Sequence, residues 1–302
     1  MKKSLLFCAV VTLISAFTPG FAQDPPRKGP PKVLYVVRED IKPGMMGAHG
    51  RHSANYVSAF RTLDTPNHRI ALVPVAGSEN EVIYITGCDS FKELEGILNT
   101  TDSKMSGASG NLKTELSRLD AEAPDLHAAM RDMLTIYRPE LSYQADVDIR
   151  TMRYFSIQTT RIRPGHDAQY ADYVQKVINV ARQKAKVDNL HVAVFQVVSG
   201  APAGTYLIFR PMKSLAELDD PIAMRVRAAM GDDMRKDADK TVSDAVMSTE
   251  TSTYAFAPSM SYLDKEFTAG DPAFWNPKPA MMAKPKPRKK VAKPAAPPAP
   301  TD

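Results

Sequence analysis

The chain has 302 residues, with 39 Lys and Arg against 34 Asp and Glu, and a formal net charge of +5. The excess is confined to the ends: Lys2, Lys3 and seven basic residues within 277–302, opposed there only by Asp302. The rest of the chain holds 30 basic and 33 acidic residues, which argues against a nucleic-acid-binding domain, since such a domain carries its positive charge on a folded face.

Taken in order, residues 1–22 read as a signal peptide. Lys2 and Lys3 precede an apolar run from Leu5 to Phe17, and Gly20 and Ala22 are the small residues that cleavage after Ala22 requires. The run is too short to remain in a bilayer. The expected product is exported, periplasmic or extracellular, with no transmembrane anchor once the signal is removed. Cys8 leaves with the leader, so Cys88 stands alone, no intramolecular disulfide can form, and the fold must rest on its core. Residues 23–32 read as a linker.

From Val33 the chain reads as one unit written twice, 33–145 and 150–263. "VLYVVREDIKPG" (33–44) lies over "YFSIQTTRIRPG" (154–165), and "HRIALVPVAG" (68–77) over "HVAVFQVVSG" (191–200). "SFKELE" (90–95) lies over "SLAELD" (214–219), and "RPELSY" (138–143) over "APSMSY" (257–262). Four matches in one order at a nearly constant offset mark an internal repeat. Each copy predicts a strand (33–39; 154–162) ending at Pro-Gly, then a helix (45–62; 166–186). A hairpin follows (69–76 with 81–86; 191–198 with 204–210), its turn carrying "GSEN" or "GAPAG". Ser90 and Ser214 then stand as helix caps, each with Glu three residues on. More helix (111–134; 222–247) and a last strand (136–143; 253–262) complete the order β-α-β-β-α-β, a ferredoxin-like half. Strands such as "HVAVFQVV" are apolar at consecutive positions and need cover on both faces. Two antiparallel sheets apposed within one chain supply it.

The C-terminal segment 264–302 changes character at residue 277. Eight prolines and seven Lys or Arg in 277–302 leave almost nothing to pack, so an extended, disordered tail is expected. Its charge suits anionic envelope polymers or lipid head groups. A solubilising spacer is the competing reading.

Candidate sites are sparse. Strand 154–162 turns Tyr154, Ser156, Gln158 and Thr160 to one face, where they line a wet cavity or reach solvent at a strand edge. His49 and His52 share one face of the first helix and could give two ligands to a metal or one axial ligand to haem. No third ligand stands at a recognisable spacing, so no metal is assigned. Aligned without a gap, the second copy has Tyr170 and Tyr173 there, while Tyr56 and Tyr173 are tyrosines able to present one face to core or cavity. His68 and His191 match across the copies, which suggests a structural role. No nucleophile triad, phosphate-binding glycine loop or CxxC pair is present.

The strand ending in "I-K/R-P-G", the Tyr-bearing helix after it and the β-α-β-β-α-β order resemble the dimeric α/β-barrel superfamily. That group includes antibiotic-biosynthesis-type and haem-degrading monooxygenases and NIPSNAP-like proteins, and "GAPAGTYLIF…SLAELD" resembles exported bacterial barrel proteins of unassigned function. The resemblance implies an α+β fold in which the two halves close an intramolecular α/β barrel. It leaves function open, since unrelated chemistries share this scaffold. One reading is a protein that binds a small apolar ligand or an envelope partner without catalysis, with Tyr56, Tyr173, Ser156 and Gln158 as ligand-binding candidates. The other is a monooxygenase-like or haem-binding enzyme using His49 and His52.

Overall fold

The computed structural model describes residues 29–276, so the leader and the Lys/Pro-rich tail expected from the sequence lie outside the described part. The first half contains β1 (Val33–Ile41), α1 (Met46–Leu63), β2 (Ile70–Ala76), β3 (Glu81–Cys88), α2 (Phe91–Ser106), α3 (Gly110–Leu126) and β4 (His127–Tyr137). The second follows the same order, with more breaks in its helices. It contains β5 (Tyr154–Ile162), α4 (Asp167–Asp172), a π-helical turn Tyr173–Ile178, α5 (Asn179–Lys184), β6 (Ala193–Ser199), β7 (Thr205–Met212), α6 (Ile222–Ala228), α7 (Asp232–Ala245) and β8 (Val246–Phe256). Two short helices, α8 (Lys265–Ala269) and α9 (Pro272–Trp275), end the described chain.

Each half forms a four-stranded antiparallel sheet in the ferredoxin-like order, β4-β1-β3-β2 and β8-β5-β7-β6. The sheets do more than face each other. β2 hydrogen-bonds to β8 and β4 to β6, so the eight strands close into one barrel. Alternation along the strands then sorts the side chains. Leu34, Val36, Ile83, Ile85, Phe155, Ile157, Phe195, Phe209 and Tyr254 fill the interior. The other face meets helices: in the second half Val192, Val194 and Tyr206 pack with Val174, Ala181 and Val226.

The repeated Pro-Gly phrase has a backbone reason. Gly44 and Gly165 have φ of +80° and +83°, which an L side chain rarely adopts, and each turns the chain out of the first strand of its half. Both first strands also shift register just before their last residue, after which Ile41 pairs with His127 and Ile162 with Val246. The Cys88 side chain is buried beside Val33 and Leu94. Among the described residues no helix is long and apolar enough to cross a membrane.

Several boundaries differ from the sequence expectation. The helix expected over 111–134 stops at Leu126, and residues 127–134, though rich in helix formers, are drawn into β4 by pairing along all of β1. Likewise β8 begins at Val246 rather than 253, along β5. The helix expected over 222–247 breaks at 229–231, before Gly231, into α6 and α7. Ser90 caps α2 through the Glu93 amide as expected, whereas Ser214 caps only a 3-10 turn, Leu215–Leu218. The last strands predicted at 136–143 and 253–262 finish in 3-10 turns, Pro139–Leu141 and Pro258–Met260. Beyond each turn a single bridge follows, Tyr143 with Val192 and Tyr262 with Arg69.

Candidate functional site

Where the outer face of β5, β7 and β8 meets α5, α6 and α7, the second half opens a cleft of about 640 Å³. Ser156 and Gln158 from β5, Ile208 and Arg210 from β7 and Thr251 from β8 form its floor. Tyr173, Arg182, Val226, Met230 and Asp239 are among the helical residues over it. Three residues singled out in the sequence, Ser156, Gln158 and Tyr173, therefore share one cavity, whereas Tyr154 and Thr160 of the same strand face do not line it.

The local structure explains the opening. The first helix of this half widens into the π-helical turn at Tyr173, a feature that interrupts regular packing and recurs at functional sites. Burial pushes the Tyr173 hydroxyl above its ordinary pKa, and Asp239 adds to that against Arg182 and Arg227. It is therefore a proton donor and not a base near neutral pH.

The three arginines in the cleft are not equivalent. Arg227 pairs with Asp239 at 2.9 Å, and Arg210 donates to the Glu217 carbonyl at 3.0 Å. Arg182 has neutral partners: it donates to Asn179 Oδ1 at 2.9 Å and lies 5.6 Å from the Tyr143 ring centroid. Burial lowers its pKa, while the surrounding Tyr170, Tyr143 and Tyr173 only partly compensate. A guanidinium held among neutral groups at the edge of an apolar space has the chemistry to receive an anion.

In the first half the equivalent positions carry other groups. Tyr35, Val37 and Glu39 stand where the second half has Ser156, Gln158 and Thr160. Arg69 lies over the Tyr84 ring at 4.3 Å and over the Phe60 ring at 5.1 Å, filling the helix–sheet space. Tyr56 is bonded to Asp120 of α3 and does not line the second-half cleft. His52 is buried, its Nε2 2.9 Å from the Leu119 carbonyl oxygen. His49 is 1% exposed, with Nε2 2.7 Å from Glu39 Oε2, and His127 Nε2 lies 3.2 Å from the same oxygen. Burial alone would raise the Glu39 pKa, but the His49 bond and the charges of His49, His127 and Arg69 hold it below the usual carboxylate value.

Several of these residues were out of reach of sequence reasoning. Glu39 and His127 are 88 positions apart, and His127 lay inside an expected helix, so only the β1–β4 pairing brings them together. Arg182 carried no motif, and with Lys176, Lys184 and Lys186 close by in the sequence nothing singled it out. Haem, which the resemblance implies as one alternative, does not fit His49 or His52 as they stand. Both imidazoles are buried between helix and sheet with Nε2 engaged, and neither lines the cleft.

By sequence, no family model and no curated protein matches the chain. Among solved structures, an anthrone oxidase-like protein is similar over 75% of this chain and 91% of its own, with 12% identity and a TM-score of 0.47. The chlorite dismutase of Candidatus Nitrospira defluvii, solved with imidazole, is similar over 75% and 92%, with 8% identity and a TM-score of 0.40. A Fusobacterium nucleatum protein described provisionally as a monooxygenase is similar over 75% and 93%, with 9% identity and a TM-score of 0.44. Overlaps this loose carry no residue's role from those chains to this one. The strand order itself defines the architecture: this chain has the dimeric α/β-barrel fold, with both halves in one polypeptide.

Proposed function

We propose that the protein is an exported binding protein whose second half holds a small, largely apolar molecule with an anionic end. The observation that carries this reading is the cleft, about 640 Å³ with walls that include Leu190, Val192, Ile208, Val226 and Met230, and with Arg182 lacking a carboxylate partner within it. That volume is in the range of small-molecule sites, roughly 300–1,000 Å³. Binding without catalysis is favoured because the cleft's other charges are already committed, Asp239 to Arg227 and Arg210 to a backbone carbonyl. Tyr173 is left as a donor.

The test uses a fluorescent fatty-acid probe, 11-(dansylamino)undecanoic acid, on the purified full chain. One probe per chain is expected, and Arg182→Gln weakens it about tenfold or more, the worth of a charged hydrogen bond. Val226→Trp, which fills the cleft, abolishes it. Binding unchanged in both variants would sink the reading. Native mass spectrometry of protein from its own host identifies the resident molecule; a haem or flavin would favour the oxidative alternative instead.

Export rests on the leader, and amino-terminal sequencing of the host-made protein is expected to begin at Gln23. If the tail contacts anionic envelope polymer, deleting 277–302 abolishes pelleting with such polymer and leaves probe binding intact.

A further inference from the structure

Apart from the cleft, the described residues contain one group of ligating side chains drawn from three elements. Glu39 comes from β1, His49 from α1 and His127 from the α3–β4 junction, and their ligand atoms lie within 4.8 Å of one another. We propose that these three residues bind a divalent transition-metal ion of the zinc class.

The proton arrangement points that way. His127 Nδ1 lies 2.9 Å from the Ala123 carbonyl oxygen, which can only accept, so Nδ1 carries the proton. In the neutral ring, Nε2 is then a bare lone pair, yet it faces the carboxylate oxygen Glu39 Oε2 at 3.2 Å. Two acceptors at that distance call for a positive species between them, either a second proton on His127 or a cation. The Nδ1–carbonyl bond is also the arrangement that orients a metal-bound imidazole.

His49 supplies an independent observation. It is 1% exposed and packs edge-on against the His127 ring at 5.1 Å, yet its Nδ1 has no hydrogen-bond partner, so the bond to Glu39 is the one polar contact that the ring makes here.

Size and donor type agree. Zinc takes imidazole nitrogen and carboxylate oxygen at about 2.0–2.2 Å, which for tetrahedral angles places donors roughly 3.3–3.6 Å apart. Glu39 Oε2 already stands 2.7 Å from His49 Nε2 and 3.2 Å from His127 Nε2. Widening these two contacts by less than about 1 Å brings them to ligand spacing, and three protein ligands leave a fourth position for water. Arg69, which acts on Glu39 from the filled helix–sheet space, is the nearby charge that opposes a cation.

The second half acts as an internal control. Thr160, Tyr170 and Val246 occupy the places of Glu39, His49 and His127, and such residues do not assemble a transition-metal site. The stoichiometry is therefore one ion per chain, and binding releases protons as pH permits.

Untagged full-length protein, stripped with chelator, is titrated with Co²⁺ followed by its visible absorption, and with Zn²⁺ in competition with a chromophoric chelator. One equivalent is expected, with the d–d bands of a four- or five-coordinate ion. His49→Ala and Glu39→Gln are expected to weaken Zn²⁺ at least about a hundredfold, beyond what loss of an outer-shell partner costs. His127→Ala should do the same, and His127→Gln, which retains an amide donor for the Ala123 carbonyl, separates lost ligation from lost folding. His68→Ala, outside the group, should leave affinity unchanged. No uptake by the wild-type chain, or uptake undiminished in His49→Ala and His127→Gln, overturns the proposal.

Discussion

Glu81 shows how one buried charge is made tolerable. It is 2% exposed, and Arg38 grips it through two bonds of 2.8 Å, Nε to Oε1 and Nη2 to Oε2. The Tyr254 hydroxyl also donates to Oε2, and Arg131 Nη2 lies 3.8 Å from Oε1. Burial would raise the Glu81 pKa, but these partners pull it below the usual carboxylate value, while burial and then the bond to Glu81 push the Tyr254 hydroxyl up to about 12. A depressed folded pKa means that the unfolded chain takes up this proton first on acidification. The group's contribution to stability is thus complete above the unfolded value and is lost as pH falls through the folded one. Glu81→Gln leaves the half-buried Arg38 without its charged partner and is expected to cost about 2 kcal/mol near neutral pH. Thermal melts between about pH 7 and pH 3 should therefore show the variant starting lower and declining less steeply than the wild type. Gly200 is a second single-residue constraint. Its φ is +90°, and a Cβ there would stand 1.9 Å from the Asp132 carbonyl oxygen. Gly200→Ala should lose more than about 1 kcal/mol in chemical denaturation, because strain and collision both act in the folded state.

At the scale of elements, the chain was readable where a local rule decides the outcome. The Pro-Gly turns, the first three strands of each half and the Ser90 cap all rest on local chemistry, and each is present. What misled was residues 127–134, where Ala, Met and Leu favour helix but the edge of β1 offers a full set of backbone partners. The same long-range pairing hid the site in the first half: His49 was legible as a ligand, while Glu39 and His127 had no visible connection to it. In the second half, alternation along β5 was enough to single out Ser156 and Gln158, but Arg182, on α5 just after the π-helical turn, carried no pattern that marked it for the cleft. The closing helices α8 and α9 carried no repeat signal, yet they matter to packing. Trp275 is buried, donates Nε1 to the Arg150 carbonyl at 2.7 Å and packs against Phe256, Phe267 and Phe274, where β5 enters the barrel. Trp275→Ala is expected to destabilise by about 3 kcal/mol, the cost of emptying a large aromatic site. Because Trp275 lies outside the cleft, affinity for the fatty-acid probe should be unchanged.

At the scale of the whole molecule, the ring of strands is unevenly joined. β1 pairs with β4 from Val33 to Ile41, and β5 with β8 from Tyr154 to Ile162. The junctions between halves are shorter and irregular: β2 meets β8 only from Leu72 to Ala76, across Pro74, and β4 meets β6 from Leu134 to Tyr137. Both contain a register shift, and Pro74 has no amide hydrogen to give. Amide hydrogen exchange should therefore rank β1 and β5 as the most protected strands, with the ends of β2 and β6 exchanging first. Equal protection across junctions and half-sheets would contradict this ranking. A chain cut between Tyr143 and Arg153 should yield two fragments that are poorly soluble apart and recover the barrel when mixed, since each exposes an apolar sheet face.

Those two short junctions also make the chain capable of exchanging halves with a copy of itself. If both open together while each half-sheet stays folded, the exposed edges of one molecule match those of another as well as they match their own. The segment 138–153 between the halves then decides whether they reunite within one chain or across two. Refolding at high concentration should trap a dimer containing two complete barrels, each built from halves of different chains. Dilution would release it only slowly, because four junctions must part. Shortening 138–153 should raise the yield of this dimer, and lengthening it with glycine and serine should suppress it, both visible by size-exclusion chromatography.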